Sequence, residues 1–240
     1  MDGQWFAPAL ALLLLAAVLV GVALSVVADR RRRERLLVWS AERRWDWRAT
    51  DERLVGFLPG EPFGRGRSRR VGNVVSGTWD GRPALGFDYR YKVTTGSGKN
   101  RRTRTYRYAV AAVHLPVALP RVHVGPENAF HRVAQAFGVD DIEVESHEFN
   151  RRYTVEADDR RAAFSILHPR LVETLSRVEP VEWRTDTSVL GPVLVSWWRG
   201  SLEAVELQQR LILLDAVVDS VPDYVWRDAG WEPGDAGQRS

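Results

Sequence analysis

The chain of 240 residues carries 34 Lys and Arg against 31 Asp and Glu, a formal charge of +3, and no cysteine. The missing cysteine excludes a disulfide scaffold, a thiolate zinc site and a cysteine nucleophile. With 45% apolar and 10% aromatic residues the chain is too hydrophobic to be wholly disordered, and it can build one sizeable core or two small ones.

The charge is concentrated. Residues 1–28 carry only Asp2, residues 29–70 hold 13 Arg against 7 acids for a net +6, and the remainder sums to −2. From Phe6 to Val27 there is no charged residue. At a helical rise of about 1.5 Å per residue this run spans about 33 Å, enough for a bilayer's hydrocarbon core, so residues 6–27 are expected to contact the lipid bilayer. Trp5 stands where an interfacial aromatic would anchor the outer end, and Pro8 falls in the first turn. The competing reading is a cleaved signal peptide. Against it, Met1-Asp2-Gly3-Gln4 has no basic residue, Val27-Ala28 is a poor cleavage site, and the apolar run exceeds an h-region of roughly 7–15 residues.

Arg30, Arg31, Arg32, Arg33 and Arg35 follow the span directly. The positive-inside rule then predicts an N-terminus outside, with about four residues exposed there, and the rest of the chain in the cytoplasm. These arginines are expected to fix topology and to meet lipid headgroups, each contributing roughly 1 kcal/mol on an anionic surface. The plainer reading is a stop-transfer cluster leading into a helix packed on its own domain. Only Lys92 and Lys99 are lysines; this arginine bias, with abundant Ala, Val and Gly, resembles that of a high-GC bacterial genome.

Residues 30–47 read as a continuing helix, with Leu36, Trp39, Arg43 and Trp47 three or four apart. Pro59, Gly60, Pro62, Gly64 and Gly66 mark a loop that ends in Arg65, Arg67, Arg69 and Arg70. The period then becomes two. Residues 69–79 predict a strand closed by an Asp80-Gly81 turn, and Leu85 to Val93 alternate as a half-buried strand. A turn over residues 94–103 returns the chain as a partner strand, Thr105 to Leu115. Pro126 and Gly138 bracket an expected short helix with Phe130, Val133, Ala134 and Phe137 on its core face. Strands are predicted at 142–145 and 152–157. Asp158 or Asp159 is expected to cap a helix through 160–178, interrupted at His168-Pro169. Strands at 181–184 and 193–198 follow, then a helix capped by Ser201 with Leu207, Leu211, Leu214, Val218 and Val221 on one stripe before Pro222.

This succession predicts an α+β fold: an N-terminal transmembrane helix, then a mainly antiparallel sheet packed with helices. The expected organisation is a transmembrane anchor at 1–28, a juxtamembrane basic helix at 29–49, a cytoplasmic α+β domain at 50–228 and a flexible tail at 229–240.

Gly96-Ser97-Gly98-Lys99 is not a phosphate loop, because the glycine needed six residues before Lys99 is Val93 and the segment joins two strands. Its neighbours Lys99, Arg101, Arg102 and Arg104 are candidates for contact with an anionic surface, together with the Arg65–Arg70 loop. A solvated hairpin tip is the plainer reading. Tyr106 and Tyr108 should point into the sheet, which leaves few aromatics for base stacking and makes nucleic acid an unlikely partner. Glu143, Glu145 and His147 would share one strand face, about 7 Å apart, as the start of a metal site or as an ordinary solvent face. No His-Glu-x-x-His or Gly-x-Ser-x-Gly motif occurs, and His114, His123, His131 and His168 are isolated. No cofactor is called for. Arg151, Arg152 and Arg170 are expected to pair with Asp140, Asp141, Asp158 or Asp159.

Phe87-Asp88-Tyr89, Leu115-Pro116, Asp141-Ile142-Glu143, Glu148-Phe149-Asn150-Arg151-Arg152-Tyr153 and His168-Pro169-Arg170 carry a resemblance. Across residues 30–228 the chain resembles a family of uncharacterised single-span bacterial membrane proteins, mostly from actinobacteria. The resemblance implies an anchor-plus-domain organisation and a bacterial inner membrane, and brings no catalytic residue with it.

The function expected is therefore a non-enzymatic, membrane-anchored cytoplasmic module that binds a protein partner or the membrane surface. The alternatives are an enzyme on a membrane-proximal substrate, metal-dependent through Glu143, Glu145 and His147, and nucleic-acid binding through the basic loops.

Overall fold

No proline follows Pro8 until Pro59, and the residues between are good helix formers as far as Glu42. In the computed structural model, which describes residues 6–126, 142 and 144–232, one unbroken helix α1 (Phe6–Glu42) runs through both the apolar stretch and the arginine cluster. By length and composition it can cross a membrane. Its side chains are exposed from Leu12 to Val27, whereas Leu36, Trp39 and Ser40 are buried. The helix stops five residues short of the predicted 47, and Arg44 turns the chain in the left-handed region (φ 57°). Trp47 belongs instead to a short edge strand, β1 (Asp46–Arg48).

Seven further strands complete one antiparallel sheet: β2 (Arg67–Trp79), β3 (Arg82–Thr95), β4 (Arg102–His114), β5 (Val122–Pro126), β6 (Tyr153–Ala157), β7 (Trp183–Ser188) and β8 (Gly191–Arg199). Their order is β1-β2-β3-β4-β8-β7-β5-β6. Asp80 and Gly81 both take positive φ, the two-residue turn that suits the twist of a β2–β3 hairpin. The helices are α2 (His147–Asn150), α3 (Arg160–Ile166), α4 (Pro169–Arg177), α5 (Ala204–Ser220) and α6 (Asp223–Asp228). The α+β expectation holds.

Alternation along the strands gives the sheet two buried faces. Ala84, Ala109, Ala111, Val113, Leu194 and Trp198 meet the helices, with Leu207, Leu211 and Leu214 of α5 fully buried among them. Each such leucine contributes roughly 1.5–3 kcal/mol. Small residues on β3 and β4 let α5 approach closely; a Cβ on Gly86 would collide with Leu207. On the other face Phe87, Tyr89, Tyr91, Val110, Val195 and Trp197 are covered by Leu54, Phe57, Leu58 and Phe63 of the loop before β2.

Several local expectations need correction. Pro126 closes strand β5, where its missing N–H is tolerated at the strand end, and the rest of the predicted 126–138 helix lies outside the described residues. Ile142, Val144 and Glu145 are not in a strand: Glu145 lies in a bend and Ser146 caps α2 by accepting from Phe149 N. Helix α5 starts at Ala204 after Glu203, not after Ser201. Asp159 does cap α3 through Arg161 N and Ala162 N, and Pro169 is the first residue of α4. Arg152 donates to the carbonyls of Ser176 and Val178 rather than to Asp158 or Asp159.

Candidate functional site

Asp88 is an acid on a strand where its neighbours Phe87 and Tyr89 are fully buried. An acid so placed needs donors, and three converge on it. Arg32 Nη1 of α1 donates to Oδ2 at 3.1 Å, Asn73 Nδ2 of β2 donates to the same oxygen at 2.6 Å, and the Leu202 N–H ahead of α5 donates to Oδ1 at 2.6 Å. Arg32 also donates to the Leu202 carbonyl at 3.0 Å. One carboxylate thus joins α1, β2 and the entry to α5.

Asn73 reaches Asp88 because β2 is irregular there. Its φ is +47°, and the β2–β3 register shifts by one residue between Gly72 and Val75. The shift sets Arg70 opposite Arg90, and the regular β3–β4 ladder sets Arg90 opposite Arg107. Like charges directly opposite repel. All three arginines are exposed, and among the described residues none forms a salt bridge.

This row walls a groove of about 900 Å³. Arg32, Arg33 and Asp29 of α1 form one side, Arg69, Arg70, Arg90 and Arg107 the sheet side, and Asn73 and Asp88 also line it. The acids Asp29, Glu52 and Asp88 are outnumbered by six arginines; Arg32 and Asp88 engage each other and Arg69 donates to the Phe63 carbonyl, which leaves Arg33, Arg70, Arg90 and Arg107 against Asp29 and Glu52. Arg32 Nε is buried there without a hydrogen-bond partner. The groove offers guanidinium forks suited to phosphate or carboxylate oxygens.

Helix α1 read backwards and strand β3 read forwards run in the same sense. Trp39 stacks on Trp79, which pairs with Arg82; Arg32 meets Asp88; Asp29 and Arg90 both line the groove. Beyond Arg90, β3 and β4 run on to a tip where Lys99, Arg101, Arg102 and Arg104 are all exposed. Thr94 Oγ1 and Thr103 Oγ1 lie 3.0 Å apart at its base, and Gly96 takes φ +80°.

Of the five arginines after the apolar run, Arg32 turns inward with 12% of its side chain exposed. Arg30 and Arg31 remain exposed, Arg33 lies over the Trp47 ring at 5.9 Å, and Arg35 pairs with Glu203 at 3.2 Å. Tyr106 and Tyr108 stack on Tyr91 at 5.2 and 6.1 Å, as their alternation predicts. Glu145 and His147 do not share a strand face, since His147 opens α2; Glu143 lies outside the described residues.

A second charged cluster went unnoticed in the sequence. Asp80, Asp215 and Asp219 bring carboxylate oxygens within 4.8 Å of one another. Arg82 fills it, donating to Asp215 and, at 2.6 Å, to Asp219. Burial raises the pKa of Asp215 and the guanidinium opposes that. The cluster clips the β2–β3 turn to α5.

No family model and no curated protein matches the chain. Among solved structures, the crystal structure of the mycobacterial trehalose monomycolate transport factor A, TtfA, is similar with a TM-score of 0.52 at 13% identity, covering 80% of this chain and 97% of that one. At that identity the likeness is one of fold. It places a similar fold in a mycobacterial protein.

Proposed function

We propose that the protein is a non-enzymatic module anchored by α1 in the bacterial inner membrane, with the folded part in the cytoplasm and the basic hairpin tip against the anionic inner leaflet. The observation that carries this reading is the continuity of α1. The helix passes without a break from the apolar run into the Arg32–Asp88 contact, so the sheet is held at a fixed distance from the membrane rather than on a loose tether. The tip with Lys99, Arg101, Arg102 and Arg104 is exposed at the far end of the β3–β4 hairpin. Each basic residue near an anionic surface adds about 1 kcal/mol, and confinement to two dimensions raises the effective concentration for any protein partner in the same membrane. The structurally similar mycobacterial protein is a transport factor, which is in keeping with a non-catalytic role.

The chain has no cysteine, which makes one added thiol a clean reporter. Ser97→Cys should resist a membrane-impermeant maleimide in intact cells and react after permeabilisation. In nanodiscs holding anionic lipid, a fluorophore on that thiol should be quenched by spin-labelled headgroups, and reversing Lys99, Arg101, Arg102 and Arg104 to Glu should abolish the quenching. Labelling in intact cells overturns the orientation, and quenching that ignores the reversal overturns the surface contact.

A further inference from the structure

We infer that the arginine groove between α1 and the β2–β4 face is a site for the phosphate of one anionic phospholipid headgroup; this rests on the membrane anchoring proposed above and names what the domain binds there.

Three observations lead to it. The first is the row Arg70–Arg90–Arg107. Two consecutive cross-strand arginine pairs on adjacent strands are unfavourable for folding alone. The row exists only because β2 bulges at Asn73; without the one-residue shift Val71 would face Arg90. The second is the bridging polar system beneath the row. Arg32 is locked by Asp88 and Leu202 with its Nε buried and unpartnered, and Asn73 is itself 7% exposed. The third is depth. Asp29, Arg32 and Arg33 lie two to six residues past Val27, so at about 1.5 Å per residue the groove mouth begins within roughly 3–9 Å of the end of the apolar run. The headgroup layer is about 5–7 Å thick on each side of the hydrocarbon core.

The occupant is fixed by charge and place together. A phosphodiester offers two anionic oxygens to a guanidinium fork, and Arg90 with a neighbour on either side can present two forks to one phosphate. The tails of such a lipid stay beside the exposed apolar stretch of α1 that ends at Val27. A soluble phosphate would satisfy the arginines but would have no reason to be met at headgroup depth.

The test uses the full chain in mild detergent, where orientation in a cell plays no part. Native mass spectrometry with equimolar dioleoyl phosphatidylglycerol and phosphatidylcholine should show one phosphatidylglycerol retained per chain, at least tenfold over phosphatidylcholine. The triple variant Arg70→Gln, Arg90→Gln, Arg107→Gln should lose that preference, while Glu at the four hairpin-tip positions should leave it intact. An unchanged preference in the triple variant, or none in the parent chain, overturns the site. Displacement of the lipid by inorganic phosphate at equal concentration overturns the headgroup assignment. Because the triple variant removes repulsion between exposed side chains, it should stay folded, which circular dichroism checks. The tip-quenching experiment reads a different surface, so either proposal can fail while the other stands.

Discussion

Arg32 and Asp88, 56 positions apart, meet at 3.1 Å with side chains 12% and 21% exposed. The pair fixes the first turns of α1 beyond the apolar run to the middle of the longest strand. A salt bridge on a surface contributes little, but this one is mostly out of water and its acid serves two further donors.

Asp88→Ala should therefore destabilise the fold by about 2–4 kcal/mol, since it leaves a guanidinium, an amide and a backbone N–H without their acceptor. Arg32→Met should cost less, because Asn73 and Leu202 still satisfy the carboxylate. Thermal melts of the full chain in detergent rank the two. Equal losses would mean that the acid acts only through the ion pair.

Trp45 lies flat against Gly77, where an added Cβ would overlap its ring, and its Nε1 donates to the Thr78 carbonyl at 3.1 Å. With Trp39, edge-on at 5.1 Å, it seats the end of α1 on β2. Gly77→Ala should cost about 1–3 kcal/mol by overpacking and shift the tryptophan near-ultraviolet circular dichroism. A silent variant would show that the ring can move aside freely.

Much of this architecture was legible because its signals are local. The charge-free run, the Leu85–Val93 alternation, the Asp80-Gly81 turn, the Asp159 cap and the Leu207–Val221 stripe each declare themselves within a few residues. The groove did not. The Leu85–Val93 alternation puts Arg90 on the polar side with Gly86, Asp88 and Lys92, and a strand's own alternation says nothing about what lies opposite. Counting back from the Asp80-Gly81 turn puts Val71 across from Arg90; the bulge at Asn73, marked in the sequence only by the pair Gly72-Asn73, substitutes Arg70. Alternation likewise puts Asp88 on the polar side of its strand, and the helix that covers it begins more than 50 residues earlier. Long-range pairing, not propensity, made the site.

Arg90 has an arginine opposite it on both sides. Arg90→Gln should therefore stabilise the lipid-free chain by about 0.5–1 kcal/mol at low salt, raising Tm by roughly 1–4 °C for a chain of this size. The gain should shrink as salt screens the repulsion. With phosphatidylglycerol added, the parent chain should gain the more stability of the two, because a ligand that binds only the folded state stabilises it by mass action. A variant no more stable than the parent at any salt would mean that the three guanidinium groups already splay apart.

His114 ends β4 opposite Val193, where burial holds its imidazole pKa below the ordinary 6.5. As pH falls through 6.5 the unfolded chain takes up a proton that the folded chain still refuses, so unfolding binds protons and becomes easier. Stability from this group is thus complete above 6.5 and is lost progressively below it. Melts between pH 7.5 and pH 5.5 should show a decline that His114→Gln flattens, since an amide has nothing to protonate. Above pH 7 parent and variant should differ only by a constant offset. If the decline keeps its full slope in the variant, another group drives it and the burial of His114 has no linkage consequence in this range.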